Sequence, residues 1–463
     1  MTNIEFYRKL FLESRDRLAL LILFCYLLFN YGFMQIRIGI LPIGEMFILL
    51  MIVITRWLTV TARFYFVSGP SILMLFLSWW LFVALSAMLG FYKYGVWALR
   101  DASHVIETIY ILIGFCLFGS FFFMNKLFSF FRFFIVVIIL YGLTYPISGF
   151  LRFLSPHLSG ASGQSVSIFF VYTNTAMLML VSAASMFIFK SEGFFVSKLK
   201  LIIAGFLIAF CLAFFQARTI YLQIIALYLF LFMFRRSEFK KGIFVILFGL
   251  LVIILLPILG FEAEGRIGQV VSLKFLYNHF MAIFGIANSG VESAAGGVDL
   301  RIGWWLDIYE KWSVDFTTMF FGLGFGLPLI DHGLANGVVA REPHNSFISL
   351  LARLGIFGAS LWCLIHCFLL KVWFNLFKFT KINQYKTINN FLAVFMIYFV
   401  FVCVFAIGED SFEKPFNAIP YYLLWGGVIR MEWYRRKSIF EEVVRSAESK
   451  NFNGTQQISS AWR

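Results

Sequence analysis

Apolar residues along this chain come in runs of about 18 to 25, the length of helix that crosses ~30 Å of hydrocarbon, separated by short polar or basic stretches. The runs fall at about 18–36, 39–55, 71–90, 104–124, 129–150, 166–189, 199–216, 219–234, 243–260, 345–370, 388–407 and 418–432. This pattern predicts an all-α polytopic membrane protein of about twelve transmembrane helices. One segment, 261–344, interrupts the rhythm with roughly 80 residues, far longer than a connector needs. Within it Leu300 to Trp312 has the apolar spacing of an amphipathic helix, with Trp304, Trp305 and Trp312 suited to a membrane interface.

Composition agrees with the bilayer. Of 463 residues, 61% are hydrophobic and only 13% charged. The first run follows Arg8, Lys9, Arg15 and Arg17 as a signal peptide would, yet no small-residue cleavage site follows it, so it reads as a retained span. All six cysteines lie inside apolar runs and act there as small hydrophobes. The net charge of +14 comes without a basic stretch interleaved with aromatics, which argues against nucleic acid.

Where the charge sits is more informative. With the N-terminus inside, 26 of the 38 Lys and Arg residues fall on the inner side and 11 on the outer, leaving Arg353 within a span. The positive-inside rule then puts both termini in the cytoplasm and 261–344 outside. The expected organisation is a membrane domain over 1–437, including that outer loop, and a polar, disordered cytoplasmic tail over 438–463.

Candidate chemistry gathers on the outer side. Arg218 stands in a turn of only a few residues, Gln216-Ala-Arg-Thr-Ile220, where a guanidinium fork could clamp phosphate oxygens or simply anchor the span to headgroups. Arg301 begins the Trp-containing helix, and Arg266 and Arg341 lie in the same loop, either converging with it or each solvated. His344 sits in Glu342-Pro-His-Asn-Ser346, where the chain returns to the membrane. An imidazole of ordinary pKa near 6.5 can accept a proton there, or serve as a plain hydrogen-bonding residue. Asn345 and Ser346 suit the N-terminus of the helix that follows.

Other motifs carry less. Gly322-Leu-Gly-Phe-Gly326 lacks the Lys of a phosphate-binding loop and reads as a tight turn. A serine hydrolase would need a nucleophile elbow, which is absent. The remaining histidines share no ligand spacing, so neither metal nor cofactor is expected. Glu107 inside the fourth span is a functional candidate by default, or part of a polar cluster with Arg100, Asp101 and His104.

The ordered set of Arg218 after a span, Arg301 with its Trp-containing helix, GLGFG at 322–326, and His344-Asn-Ser346 leading into Leu350-Leu-Ala-Arg-Leu-Gly-Ile-Phe-Gly358 resembles the O-antigen ligase and Wzy-type polymerase family over roughly residues 200–370. The resemblance implies a metal-independent, inverting glycosyltransferase of the bacterial inner membrane, working on the periplasmic face. Its donor would be an undecaprenyl-diphosphate-linked oligosaccharide. Its acceptor would be a lipid-linked repeat unit in a polymerase, lipid A-core in a ligase, or a protein hydroxyl in some relatives; a chain-length regulator is a further partner. On that reading Arg218 and Arg301 bind the donor diphosphate, His344 is catalytic, and Arg341, Glu342 and Asn345 assist. The alternative of another class is a flippase for lipid-linked oligosaccharides, whose cations should line a central cavity.

Overall fold

The computed structural model describes residues 3–38, 41–159, 165–189, 194–258, 260, 265–266, 268–286, 292–330, 332–333 and 339–441, and these are nearly all helical. The three strand pairs among them are two-stranded ribbons, each closing a short excursion of the chain, as at His157–Ser159 with Ser165–Ser167. Asp331 and most of the tail expected over 438–463 lie outside the described residues.

Six described helices are long and apolar enough to cross a membrane: Pro70–Tyr94, Phe121–Leu143, Lys198–Phe215, Arg236–Ile258, Ser346–Ile382 and Lys386–Gly408. A seventh span is possible if Ile43–Ile54 and Trp57–Ser68, bent by 98° at their junction, count as one. Twelve apolar runs thus reduce to fewer qualifying helices, and the reasons are local. The run at 104–124 is divided among Val96–Ile106, a 3-10 turn at Glu107–Ile109 and Tyr110–Leu117; Ser120, whose hydroxyl accepts from the Phe123 amide, starts a separate helix. The runs at 166–189 and 219–234 become helices Thr173–Ile188 and Arg218–Phe234, of 16 and 17 residues.

The last run, 418–432, becomes Pro415–Arg436, which carries Asn417, Pro420, Tyr421, Arg430 and Glu432. Such polarity is tolerable because almost all of this helix, from Pro415 to Tyr434, is buried among the other helices. Its closest neighbour is Tyr110–Leu117. Gly114 and Gly426 let the two backbones meet: a Cβ at Gly114 would overlap the Leu423 carbonyl, and one at Gly426 the Ile111 carbonyl.

Residues beyond Leu370 continue as helix to Ile382, so the expected 345–370 span is longer than its apolar run. It is also broken, because Gly355 takes φ 65° and ψ −173°. The loop helix begins earlier than the expected 300–312, running from Glu292 to Trp312, so that Arg301 is its tenth residue rather than its first. Trp304 and Trp312 do not face an interface freely. They are 5% and 8% exposed, and Trp304 packs with Ile308, Leu329, Ile330 and Ala352 into a small apolar cluster. The loop therefore has a core of its own, resting on the start of Ser346–Ile382.

Candidate active site

Ser346–Ile382 starts where the sequence marks it. The Asn345 side chain accepts from the backbone amides of Phe347 and Ile348 at 3.0 and 3.2 Å, satisfying two of the free donors of the first turn. Ser346 ties this turn to the chain after Lys386–Gly408: its hydroxyl donates to Glu413 at 3.3 Å and accepts from the Phe412 amide at 3.1 Å. The segment Glu409–Lys414 is thereby held against residues 342–346.

Between them lies His344. Its backbone is left-handed, φ 50°, a conformation that costs a non-glycine residue energy and clusters at functional positions. Its Nδ1 is 3.4 Å from Glu409 Oε2 and 3.5 Å from Asp410 Oδ2, and the ring lies 5.9 Å from that of Trp304. With 36% of its side chain exposed, His344 keeps a face open to a substrate. The polar contact with Glu409 holds its pKa above the ordinary imidazole value, reinforced by Asp410 and opposed by burial and Arg301. Glu409, despite the burial that would raise it, is held below the usual carboxylate range by His344 and Arg301. Asp410 is pushed up by burial against the pull of Lys414, 4.0 Å away, and of His344.

Arg301 reaches the same carboxylate from the loop helix, 3.6 Å from Glu409 Oε1. Arg218 caps the neighbouring wall: its guanidinium donates to the Ala282 carbonyl at 3.4 Å, and both Arg301 and Arg266 lie within its electrostatic reach. Three arginines, from the start of Arg218–Phe234, an irregular stretch and a loop helix, therefore share one end of the bundle with His344. Burial, with the fields of Arg218 and Arg266, lowers His279 to about 4, so this imidazole is neutral at physiological pH; its Nδ1 sits 3.2 Å from the Tyr221 hydroxyl. Tyr172, half-buried, feels Glu409, Arg266 and Arg301 together and so lies in the same space.

Arg341 and Glu342 have other occupations. Arg341 donates to the Gly326 carbonyl at 3.0 Å, stacks 4.3 Å from the Trp97 ring centroid and lies 3.6 Å from Asp101. Glu342 accepts from the buried Arg353 at 2.7 Å and from Ser349 at 3.3 Å. Arg353 also lies 3.1 Å from Asp101, which accepts from the Gly326 amide at 3.1 Å. This ion network ties residues 341–342, next to His344 in the chain, to Val96–Ile106 and Ser346–Ile382. Beside it a cavity of about 30 Å³, with Asp101, Ser346, Ser349, Arg353 and Glu413 in its wall, has room for about two waters.

GLGFG belongs to the same support. Gly322, Gly324 and Gly326 all have positive φ, and the amides of Leu323 and Gly324 donate to the carbonyls of Ala352 and Arg353 at 2.7 and 3.0 Å. Those carbonyls are freed from their own helix by the break at Gly355, so the two irregular segments satisfy one another.

Glu107 does not join Arg100 and Asp101 in a polar cluster, and the His104 side chain lies outside the described residues: Glu107 is fully buried beside Glu45, with neither carboxylate oxygen hydrogen-bonded among the described residues. Among the described residues no cluster of His, Cys, Asp or Glu has the arrangement of a metal site.

Sequence reading missed Glu409 and Asp410. Two adjacent acids ending the apolar run 388–407 are the available signal, because acids at the end of a span call for a cationic partner. In the sequence Arg266 is only one of several loop arginines, and His279 only a histidine without ligand spacing.

What the geometry offers is a cationic recess for an oxyanion, next to an imidazole whose proton is governed by two carboxylates. Comparison with protein-family models and with curated protein sequences gives no match.

Proposed function

We propose that this chain is a membrane-embedded glycosyltransferase that moves an undecaprenyl-diphosphate-linked glycan onto an acceptor sugar, most simply polymerising O-antigen or exopolysaccharide repeat units. The observation that carries the reading is the meeting of Arg218, Arg266 and Arg301 with His344 and its two carboxylates at one end of a largely apolar helical bundle. Departure of a lipid diphosphate develops negative charge on a phosphate oxygen. Fixed guanidinium groups stabilise that charge in the role a divalent cation plays elsewhere. His344 accepts the acceptor hydroxyl's proton as that oxygen attacks the anomeric carbon from the face opposite the leaving diphosphate, which inverts the anomeric configuration. Glu409 and Asp410 orient the ring and stabilise the imidazolium that results.

In this proposal the membrane is the bacterial inner membrane, crossed about twelve times by long, short and broken helices together, with both termini cytoplasmic and the site periplasmic. Ligation to lipid A-core would use the same chemistry with another acceptor. A flippase is less favoured because the arginines gather at one end of the bundle instead of along a central path.

The test is glycan transfer by the purified chain in liposomes from a preformed undecaprenyl-diphosphate donor. His344→Ala should lower the rate by about 10²–10⁴-fold, and Arg218→Ala or Arg301→Ala by about 10²–10³-fold. Transfer at the wild-type rate by His344→Ala and Arg218→Ala would overturn the assignment. Surface polysaccharide after gene deletion separates the acceptors: single repeats retained without long chains mean a polymerase, and lipid-linked polymer accumulating beside bare lipid A-core means a ligase.

A further inference from the structure

At the other end of the bundle two arginines are held together without a counterion among the described residues. The helix Pro415–Arg436 carries the chain ~24 Å from Lys414, beside Asp410, to Arg430, taking 16 residues at about 1.5 Å each. Arg430 is only 3% exposed, and its guanidinium carbon lies 4.3 Å from the Trp433 ring centroid and 5.0 Å from those of both Phe115 and Tyr434. Arg63, an exposed residue of the helix Trp57–Ser68, lies 5.6 Å from the same Trp433 ring, close enough for the two cations to repel.

Two described acids of this region are already engaged. Asp16 pairs with Arg15 at 2.6 Å, and Glu432 with Arg435 and Arg436 at 2.7 and 3.0 Å. Among the described residues neither Arg63 nor Arg430 forms an ion pair with a carboxylate, and the buried Nε of Arg430 has no hydrogen-bond partner. Burying a guanidinium without an anion is costly, and contact with aromatic rings and the hydrogen bond to the Tyr434 hydroxyl offset only part of it. Arg430 is such a group, and Arg63 adds a second, exposed cation at the same ring, a pair that suits an anion.

We propose that Arg63 and Arg430, which both lie against Trp433, bind the phosphate group of an anionic membrane lipid. A guanidinium fork matches phosphate oxygens, and two forks can share one phosphate. The surroundings favour a lipid over a soluble phosphate compound. Trp57–Ser68 turns 98° away from Ile43–Ile54, across the direction of that helix; Phe66 is exposed on the Arg63 side, while Leu58, 91% exposed, and Tyr65 open on the opposite side of the same helix. Lys437, its Nζ 4.2 Å from the Phe66 ring centroid, adds a third cation at the rim. Acyl chains would lie along the apolar side chains while the phosphate sits between the arginines. The site lies far from His344 and does not depend on the reaction carried out there.

Native mass spectrometry and thermal unfolding of the full chain in detergent test this, with dioleoyl phosphatidylglycerol, dioleoyl phosphatidylcholine or inorganic phosphate added in turn. Phosphatidylglycerol should be retained and raise the unfolding temperature more than phosphatidylcholine. Arg63→Gln, at an exposed position that leaves the fold alone, should weaken that retention by about tenfold, the scale of one charge-assisted contact; Arg430→Gln should abolish it if the variant folds. Arg132→Gln, a basic residue remote from Trp433 in sequence, serves as the charge control and should behave as wild type. Undiminished phosphatidylglycerol binding by Arg63→Gln would overturn the proposal. A full stabilisation by millimolar inorganic phosphate alone, with none added by the lipid, would overturn it in favour of a soluble phosphate ligand.

Discussion

His344 touches two acidic side chains that act on its proton unequally. Glu409, held ionised, favours the imidazolium, whereas Asp410 is itself pushed toward protonation by burial. Because the folded-state pKa of His344 lies above its unfolded value of ~6.5, the pair adds stability below that pH, and the contribution fades as pH rises through the folded pKa. As a proton acceptor the same ring works only when neutral, so transfer should increase with pH through the raised value. Glu409→Gln removes the largest cause of the shift and should move this rising limb toward lower pH, while lowering the maximal rate through loss of Arg301 and ring positioning. A pH profile of transfer measures both effects. An unmoved limb would mean that the proton in question is not on His344.

At the scale of elements, two irregular segments replace regular hydrogen bonding for each other. The break at Gly355 releases carbonyls of Ala352 and Arg353, and the glycine-rich turn at 322–326 supplies the amides that take them. Each partner needs glycine. A Cβ at Gly322 would strike the Arg353 carbonyl, and one at Gly355 the Phe320 carbonyl, at positive φ in both cases. Gly322→Ala or Gly355→Ala should therefore destabilise the protein by more than the ~1 kcal/mol of left-handed strain alone, seen as a lowered unfolding temperature in detergent. Gly303→Ala, with open space where the Cβ would go, should leave it unchanged or slightly raised.

At the scale of the molecule, Arg353 joins segments far apart in sequence: Asp101 in Val96–Ile106, the carbonyls of Gly324 and Leu327, and Glu342 beside the site. Arg353→Met fills the volume but leaves two acids without their buried cation, a loss on the order of 3–5 kcal/mol. Its thermal unfolding should fall further than that of Arg301→Met, whose partner Glu409 keeps His344 and whose side chain is 27% exposed.

Much of the architecture was legible because a bilayer filters sequence by simple physical criteria. Apolar runs of spanning length marked most helices, and Asn345 was recognisable as a cap from its position before an apolar run. Arg218, Arg301 and His344 stood out as polar residues in places that connectors do not require. The breaks were less legible: Gly355 and the 118–120 junction lie within apolar stretches whose hydropathy does not register a change of direction. Pro415–Arg436 reads as one more span, yet its polar residues make sense only once neighbouring helices surround it. Sequence by itself determined that the chain is helical and largely apolar, and which charged residues demand an explanation. Only the tertiary structure decided which charges meet, drawing Glu409 and Asp410 to His344 and Arg341 and Glu342 away toward Asp101 and Arg353. The physical reason is range: hydropathy and capping act within a few residues, whereas ion pairs are chosen by packing between segments tens to hundreds of residues apart.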